Sequence, residues 1–163
     1  MIKQFVHQKS CLACYGCCRF AQPDTVWSPC LLREDTQQLA AHRILPSVAA
    51  VGHKLKVAYD KQQGVFICHF LNPVNNRCGI YAFRPFDCQL YPFLLNRRGR
   101  KIFLAVDPQC PGVGKQMKSM QFKRYIRYLT GLLRSPAFLE TLRHNPQVMQ
   151  TYAEAVDLAE LQL

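Results

Sequence analysis

Four cysteines stand within eight residues, at Cys11, Cys14, Cys17 and Cys18. A buried thiol can serve as a small apolar side chain, but packing alone does not ask for four together. Thiolates two residues apart turn inward on a short loop and reach one soft metal ion or one iron–sulfur cluster. The other five cysteines, Cys30, Cys68, Cys78, Cys88 and Cys110, follow at wide spacings. The opening residues, Met1 to His7, carry no apolar signal-peptide core, and no apolar run approaches the roughly 18–20 residues that span a bilayer. A cytoplasmic chain without a membrane span is therefore expected. In that reducing setting clustered thiols bind metal or do redox chemistry rather than pair as disulfides.

The adjacent pair Cys17-Cys18 constrains the grouping. Neighbouring side chains point to opposite sides of a strand, and on a helix they lie about 100° apart. On a helix Cys11, Cys14 and Cys18 would share a face; in a ferredoxin-like loop Cys11, Cys14 and Cys17 would cooperate. In either case one of the pair is expected to turn to a second site, so eight thiols make two four-sulfur sites, or one site with a remainder. His7 and His69 are weaker nitrogen candidates, since a lone histidine is more often a surface or hydrogen-bonded residue.

The elements that must position these thiols are short. Arg33 to about Val51 suits a helix, with Glu34 and Asp35 in its first turn and Pro46 ending or kinking it. Leu55–Tyr59 and Gly64–Phe70 read as one hairpin, and Tyr91–Leu95 with Lys101–Val106 as a second, closed by residues 96–100. Phe122, Tyr125, Ile126, Leu129, Leu132 and Leu133 mark one face of a helix. Ser135-Pro136 and Asn145-Pro146 each open a further helix. The expected fold is α+β: a small single domain over residues 1–163, with metal-stapled loops, short antiparallel hairpins and a helical C-terminal third. The motif region runs over about 8–115 and the helical support over about 116–163.

The formal charge is +11, and from Arg97 to Arg134 ten basic residues face one acid, Asp107. Four thiolates on zinc or on an oxidised cluster leave about −2, so two such sites would bring the total towards roughly +7. The basic residues thus have a local role, and sequence-specific nucleic-acid recognition is not expected.

Three motifs together carry a resemblance: the CxxCxxCC run, Cys78-Gly79-Ile80-Tyr81-Ala82-Phe83-Arg84-Pro85-Phe86-Asp87-Cys88, and Cys110-Pro111-Gly112. In this order the chain resembles the YkgJ-like cysteine-cluster family, a zinc- or iron-chelating domain some of whose members are called Fe–S oxidoreductases. The resemblance implies that Cys11, Cys14, Cys17, Cys18, Cys68, Cys78, Cys88 and Cys110 are the ligand set, and it leaves Cys30 outside. Within the middle motif, Arg84 can donate to sulfur and Tyr81 can add a hydroxyl or merely pack. The competing reading of Arg84 is a surface ion pair with Asp87.

Gly112-Val113-Gly114-Lys115-Gln116 is no phosphate loop, because Gln109 and Gln116 stand where that motif needs Gly and Ser or Thr. Flagellin lysine N-methylases carry a similar cysteine cluster, but no methyl-donor glycine motif stands here. Two functions remain in view. One is an iron–sulfur protein, 4Fe–4S favoured, in electron transfer or cluster handling with a protein redox or assembly partner; it could be a component of an Fe–S oxidoreductase. The other is a zinc-stabilised module that binds a protein or nucleic-acid partner. No reaction can be assigned, since no Ser/His/Asp or paired-carboxylate set stands out.

Overall fold

The computed structural model describes residues 2–14, 16–44 and 50–162. The fold is α+β, and the chain divides into two compact units, Gln8–Gln89 and Met1–His7 with Leu90–Leu163. No helix among the described residues is long and apolar enough to cross a membrane.

The first unit is built from short pieces. Helix α1 (Gln8–Leu12) stops inside the cysteine run, and β1 (Arg19–Phe20) follows it directly. Helix α2 covers Arg33–Ala41 only, shorter than the sequence suggests. Its last turn closes on His42, and Arg43 takes a left-handed φ of 58° that cannot continue a helix. The expected break at Pro46 lies outside the described residues. Ala50–Val51, expected as helix, is instead strand β2, paired with β3 (Lys54–Leu55) across Gly52, whose φ is 62°.

The hairpin of β4 (Val57–Asp60) and β5 (Val65–Cys68) forms as expected. Asp60 Oδ1 accepts the N–H groups of Gln62 and Gln63, which folds the intervening loop. Strand β1 pairs with β5, and β6 (Leu71–Asn72) pairs with β7 (Arg77–Cys78). A 3-10 turn over Tyr81–Phe83 leads to helix α3 (Phe86–Leu90), whose last residue opens the other unit. Phe20, Leu31, Leu39, Leu55, Leu71 and Ile80 make the buried core, with Cys68 inside it and Cys18, Cys78 and Cys88 packed on its edge. Burying each large apolar side chain contributes about 1.5–3 kcal/mol.

The second unit is a three-stranded antiparallel sheet of β8 (Phe93–Arg98), β9 (Lys101–Val106) and β10 (Val156–Leu161). The loop expected over residues 96–100 shrinks to Gly99 and Arg100. Asn96 looks like a turn residue but is fully buried. Its amide donates to Asp157 Oδ1 at 2.7 Å and its oxygen accepts the Tyr152 N–H at 2.9 Å. The helix expected after Asn145-Pro146 is a single 3-10 turn over Pro146–Val148, and the chain then enters β10. The strand forms because β9 offers it an edge, a partner that no local pattern reveals.

After the short helix α4 (Pro111–Gly114), helix α5 (Met120–Leu133) starts at Ser119, whose hydroxyl accepts the Phe122 N–H at 3.1 Å. It buries Phe122, Tyr125, Leu129 and Leu133, the stripe that the sequence marks. The N-terminal segment joins this core: Phe5 meets Phe93 edge-on at 6.0 Å and Phe122 at 5.6 Å, and the Tyr125 hydroxyl donates to Lys3 O. On the opposite side of α5, Gly131 is exposed, and a Cβ there would meet nothing within 4 Å. A mid-helix glycine costs about 1 kcal/mol against alanine, and no contact inside the unit requires it. Helix α6 (Pro136–His144) begins at Ser135-Pro136 as expected.

Candidate metal centre

The cysteine run is not a helix beyond Leu12, so the face shared by Cys11, Cys14 and Cys18 does not arise. The chain turns instead, and the Cys17 and Cys18 sulfurs lie side by side, 3.9 Å apart. The opposed directions of a regular backbone do not apply in a turn. Two thiolates on one tetrahedral ion with bonds of about 2.3 Å stand roughly 3.8 Å apart. Gly16 lies beside this loop, and a Cβ on it would sit 3.3 Å from the Cys14 sulfur. A side chain there would press on Cys14.

Pairing brings the distant thiols in. The Cys68 N–H donates to Cys18 O at 3.0 Å, extending the β1–β5 ladder by one rung. Strand β7 sets Cys78 opposite Leu71, and α3 carries Cys88. The charge of Cys17 is felt at Cys11, Cys18, Cys68, Cys78 and Cys88, and that of Cys14 at Cys11. Seven of the unit's eight thiols, all but Cys30, thus belong to one electrostatic neighbourhood.

Burial is the first cause of the raised pKa at Cys11, Cys68, Cys78 and Cys88, with Cys68 pushed up to about 11. Between Cys17 and Cys18 the shared hydrogen bond dominates, lowering Cys17 and raising Cys18. Uptake of a metal by the buried thiols must therefore release protons.

Arg84 supplies positive charge to this neighbourhood. It lowers the pKa of Cys11, Cys17 and Cys78, and its guanidinium lies 4.2 Å over the Tyr81 ring. The suggested ion pair with Asp87 does not form. Asp87 Oδ2 accepts the Cys30 N–H at 2.9 Å, and its carboxyl is pushed up to about 6 by burial.

The sequence reading missed Arg19, directly after the run, which also lowers Cys17. Its guanidinium donates to Gln63 Oε1 and Asn76 Oδ1, both at 2.7 Å, and the Asn76 amide donates to Leu12 O. A cation abutting four cysteines was the available signal. By sequence Asp35 is only a first-turn acid of α2. It accepts the N–H groups of both Leu32 and Phe86, tying the start of α2 to the start of α3.

Cys30 is buried at an isolated bridge to Lys54. His69 is exposed and meets Phe70 edge-on at 5.2 Å. His7 and Cys110 belong to the second unit, where buried Cys110 precedes α4. Asp107 shapes that loop, accepting from Gln109 N–H at 2.9 Å and from the Tyr91 hydroxyl at 2.7 Å.

All nine cysteines are free thiols. Among the described residues no three His, Cys, Asp or Glu side chains converge to ligand geometry. What the fold assembles is the donor chemistry, soft sulfur beside two arginines, and that donor set fits a thiophilic metal.

The family model CxxCxxCC, described as a "Putative zinc- or iron-chelating domain", matches residues 10–111. No curated protein and no solved structure matches the chain significantly. The family match runs over more than half of the chain, from the residue before Cys11 to the residue after Cys110, and this protein is therefore a member of that family.

Proposed function

We propose that the thiols of the Gln8–Gln89 unit, Cys11, Cys14, Cys17, Cys18, Cys68, Cys78 and Cys88, hold iron as an iron–sulfur centre, 4Fe–4S favoured. The protein would then work in electron transfer or cluster handling with a protein partner. Cys110 joins the ligand set on its motif alone, and Cys30 does not belong to it. The supporting observation is the neighbourhood of thiols centred on Cys17, with the charges of Arg84 and Arg19 directed into it.

An iron–sulfur centre, when bound, supplies one-electron chemistry. The chain's own residues do the rest. Arg84, backed by the Tyr81 ring, and Arg19 offset thiolate charge, and such donors raise a centre's reduction potential. The apolar core behind Cys18, Cys68, Cys78 and Cys88 keeps water from that side.

Zinc is the second reading, carried by the 3.9 Å separation of the Cys17 and Cys18 sulfurs. That spacing suits two ligands of one ion, whereas thiolates on a cubane each bind a different iron. On this reading the metal staples a module that binds a partner.

Purification without oxygen from iron-sufficient cells separates the two. The iron reading expects brown protein with broad absorption near about 400 nm and stoichiometric iron and sulfide. Colourless protein with zinc at full occupancy would replace it with the zinc module.

A further inference from the structure

We propose that the outer face of α5 is a docking surface for an acidic protein. At 100° per residue, Met120, Lys123, Arg124, Arg127, Tyr128 and Gly131 fall within an arc of about 140°, opposite the buried stripe, and all six are exposed. The helix contains no acid. Lys123, Arg124 and Arg127 make no ion pair or hydrogen bond through their side chains with any described residue. The unit does pair its cations elsewhere, as Arg98 with Asp157 and Lys101 with Glu160. This helix face thus gathers three cations that have no side-chain partner among the described residues, with no acid beside them on the helix.

Two further features choose the class of partner. Met120 is 60% exposed and Tyr128 39%. Arg, Met and Tyr are the side chains enriched in protein–protein interfaces, and a phosphate backbone has no use for an exposed methionine. Gly131 lies in the middle of the face with open space where a Cβ would stand. No contact among the described residues repays its effect on the helix, but the bare backbone lets a partner approach closely between the arginines. Complementary carboxylates would speed encounter and set orientation, and the apolar side chains would supply a desolvated contact. The proposal is independent of which metal the thiols hold.

The test uses the full chain and three probes of equal charge: a synthetic amphipathic helix of about 18 residues with glutamates flanked by leucines, polyglutamate, and a DNA duplex. The amphipathic peptide should bind tighter than polyglutamate. Its affinity should fall about tenfold in Lys123→Glu/Arg127→Glu, and only about two- to threefold in the off-face control Lys61→Glu/Arg100→Glu. Met120→Ser and Gly131→Gln, which leave charge unchanged, should each weaken the peptide several-fold and leave the duplex unaffected. Circular dichroism confirms that each variant is folded. Equal losses in both charge-reversed pairs, no preference over polyglutamate, or a duplex that shares the dependence on Met120 and Gly131 would each overturn the proposal.

Discussion

The Asp35 carboxylate accepts the main-chain N–H of Phe86 at 3.0 Å while its second oxygen accepts that of Leu32 at 2.9 Å. One buried side chain so satisfies a donor at the start of each of two helices, beside the Arg84–Cys88 segment. Asp87 laces the same segment back to Cys30. Asp35→Ala should strand both N–H groups and cost about 1–3 kcal/mol, with faster amide exchange at Phe86 than at Leu104. Unchanged exchange at Phe86 would show that the staple is dispensable.

Burial pushes the Asp35 carboxyl up to about 6 from an unfolded value of 3.8. The folded state therefore holds this proton more tightly. The group's contribution becomes less favourable as pH rises from about 4 through 6, and is constant beyond. Asp35→Asn removes that dependence, so the stability of the wild type relative to Asp35→Asn should improve as pH falls from about 6.5 to 4. Metal release at low pH affects both proteins and cancels in the comparison. Parallel melting-temperature curves would contradict the assignment.

Gly112 has a packing role. A Cβ on it would lie 2.5 Å from Val6 Cγ1, so Gly112→Ala should destabilise the protein by about 1–3 kcal/mol. Val6→Ala should recover part of the loss, a coupling that denaturant titration of the double-mutant cycle would reveal. Strict additivity would mean that the segment simply moves aside.

Gly16→Ala brings a methyl to 3.3 Å from the Cys14 sulfur. We expect weakened metal retention against a chelator, in the direction of Cys14→Ser though smaller. Cys30→Ser, at a site away from that loop, should keep its metal. Loss of metal from the Cys30 variant would enlarge the ligand set.

Asn96→Leu should remove the Asn96 oxygen that accepts the buried Tyr152 N–H and the amide that donates to Asp157, which keeps Arg98. A loss of about 1–3 kcal/mol in chemical denaturation is expected. A neutral result would mean that water replaces the amide.

The thiol spacing, the apolar stripe of α5 and both hairpins were legible in the sequence because each is a local pattern with its own period. The middle motif was legible as a run of residues, but that the Arg84 guanidinium lies over the Tyr81 ring came from the fold. Tertiary structure decided what depends on a partner distant in the chain. Strand β10 exists because β9 has a free edge, and Asn96 is a core residue because Tyr152 and Asp157 reach it. Cys17 and Cys18 sit side by side because the chain turns where a helix or strand would have parted them. Arg19 and Asp35 were visible as residue types, but their roles come from contacts with Asn76 and Phe86, more than fifty residues away. Spacing along a chain reports which donors are available; only the folded path decides which charges and N–H groups they meet.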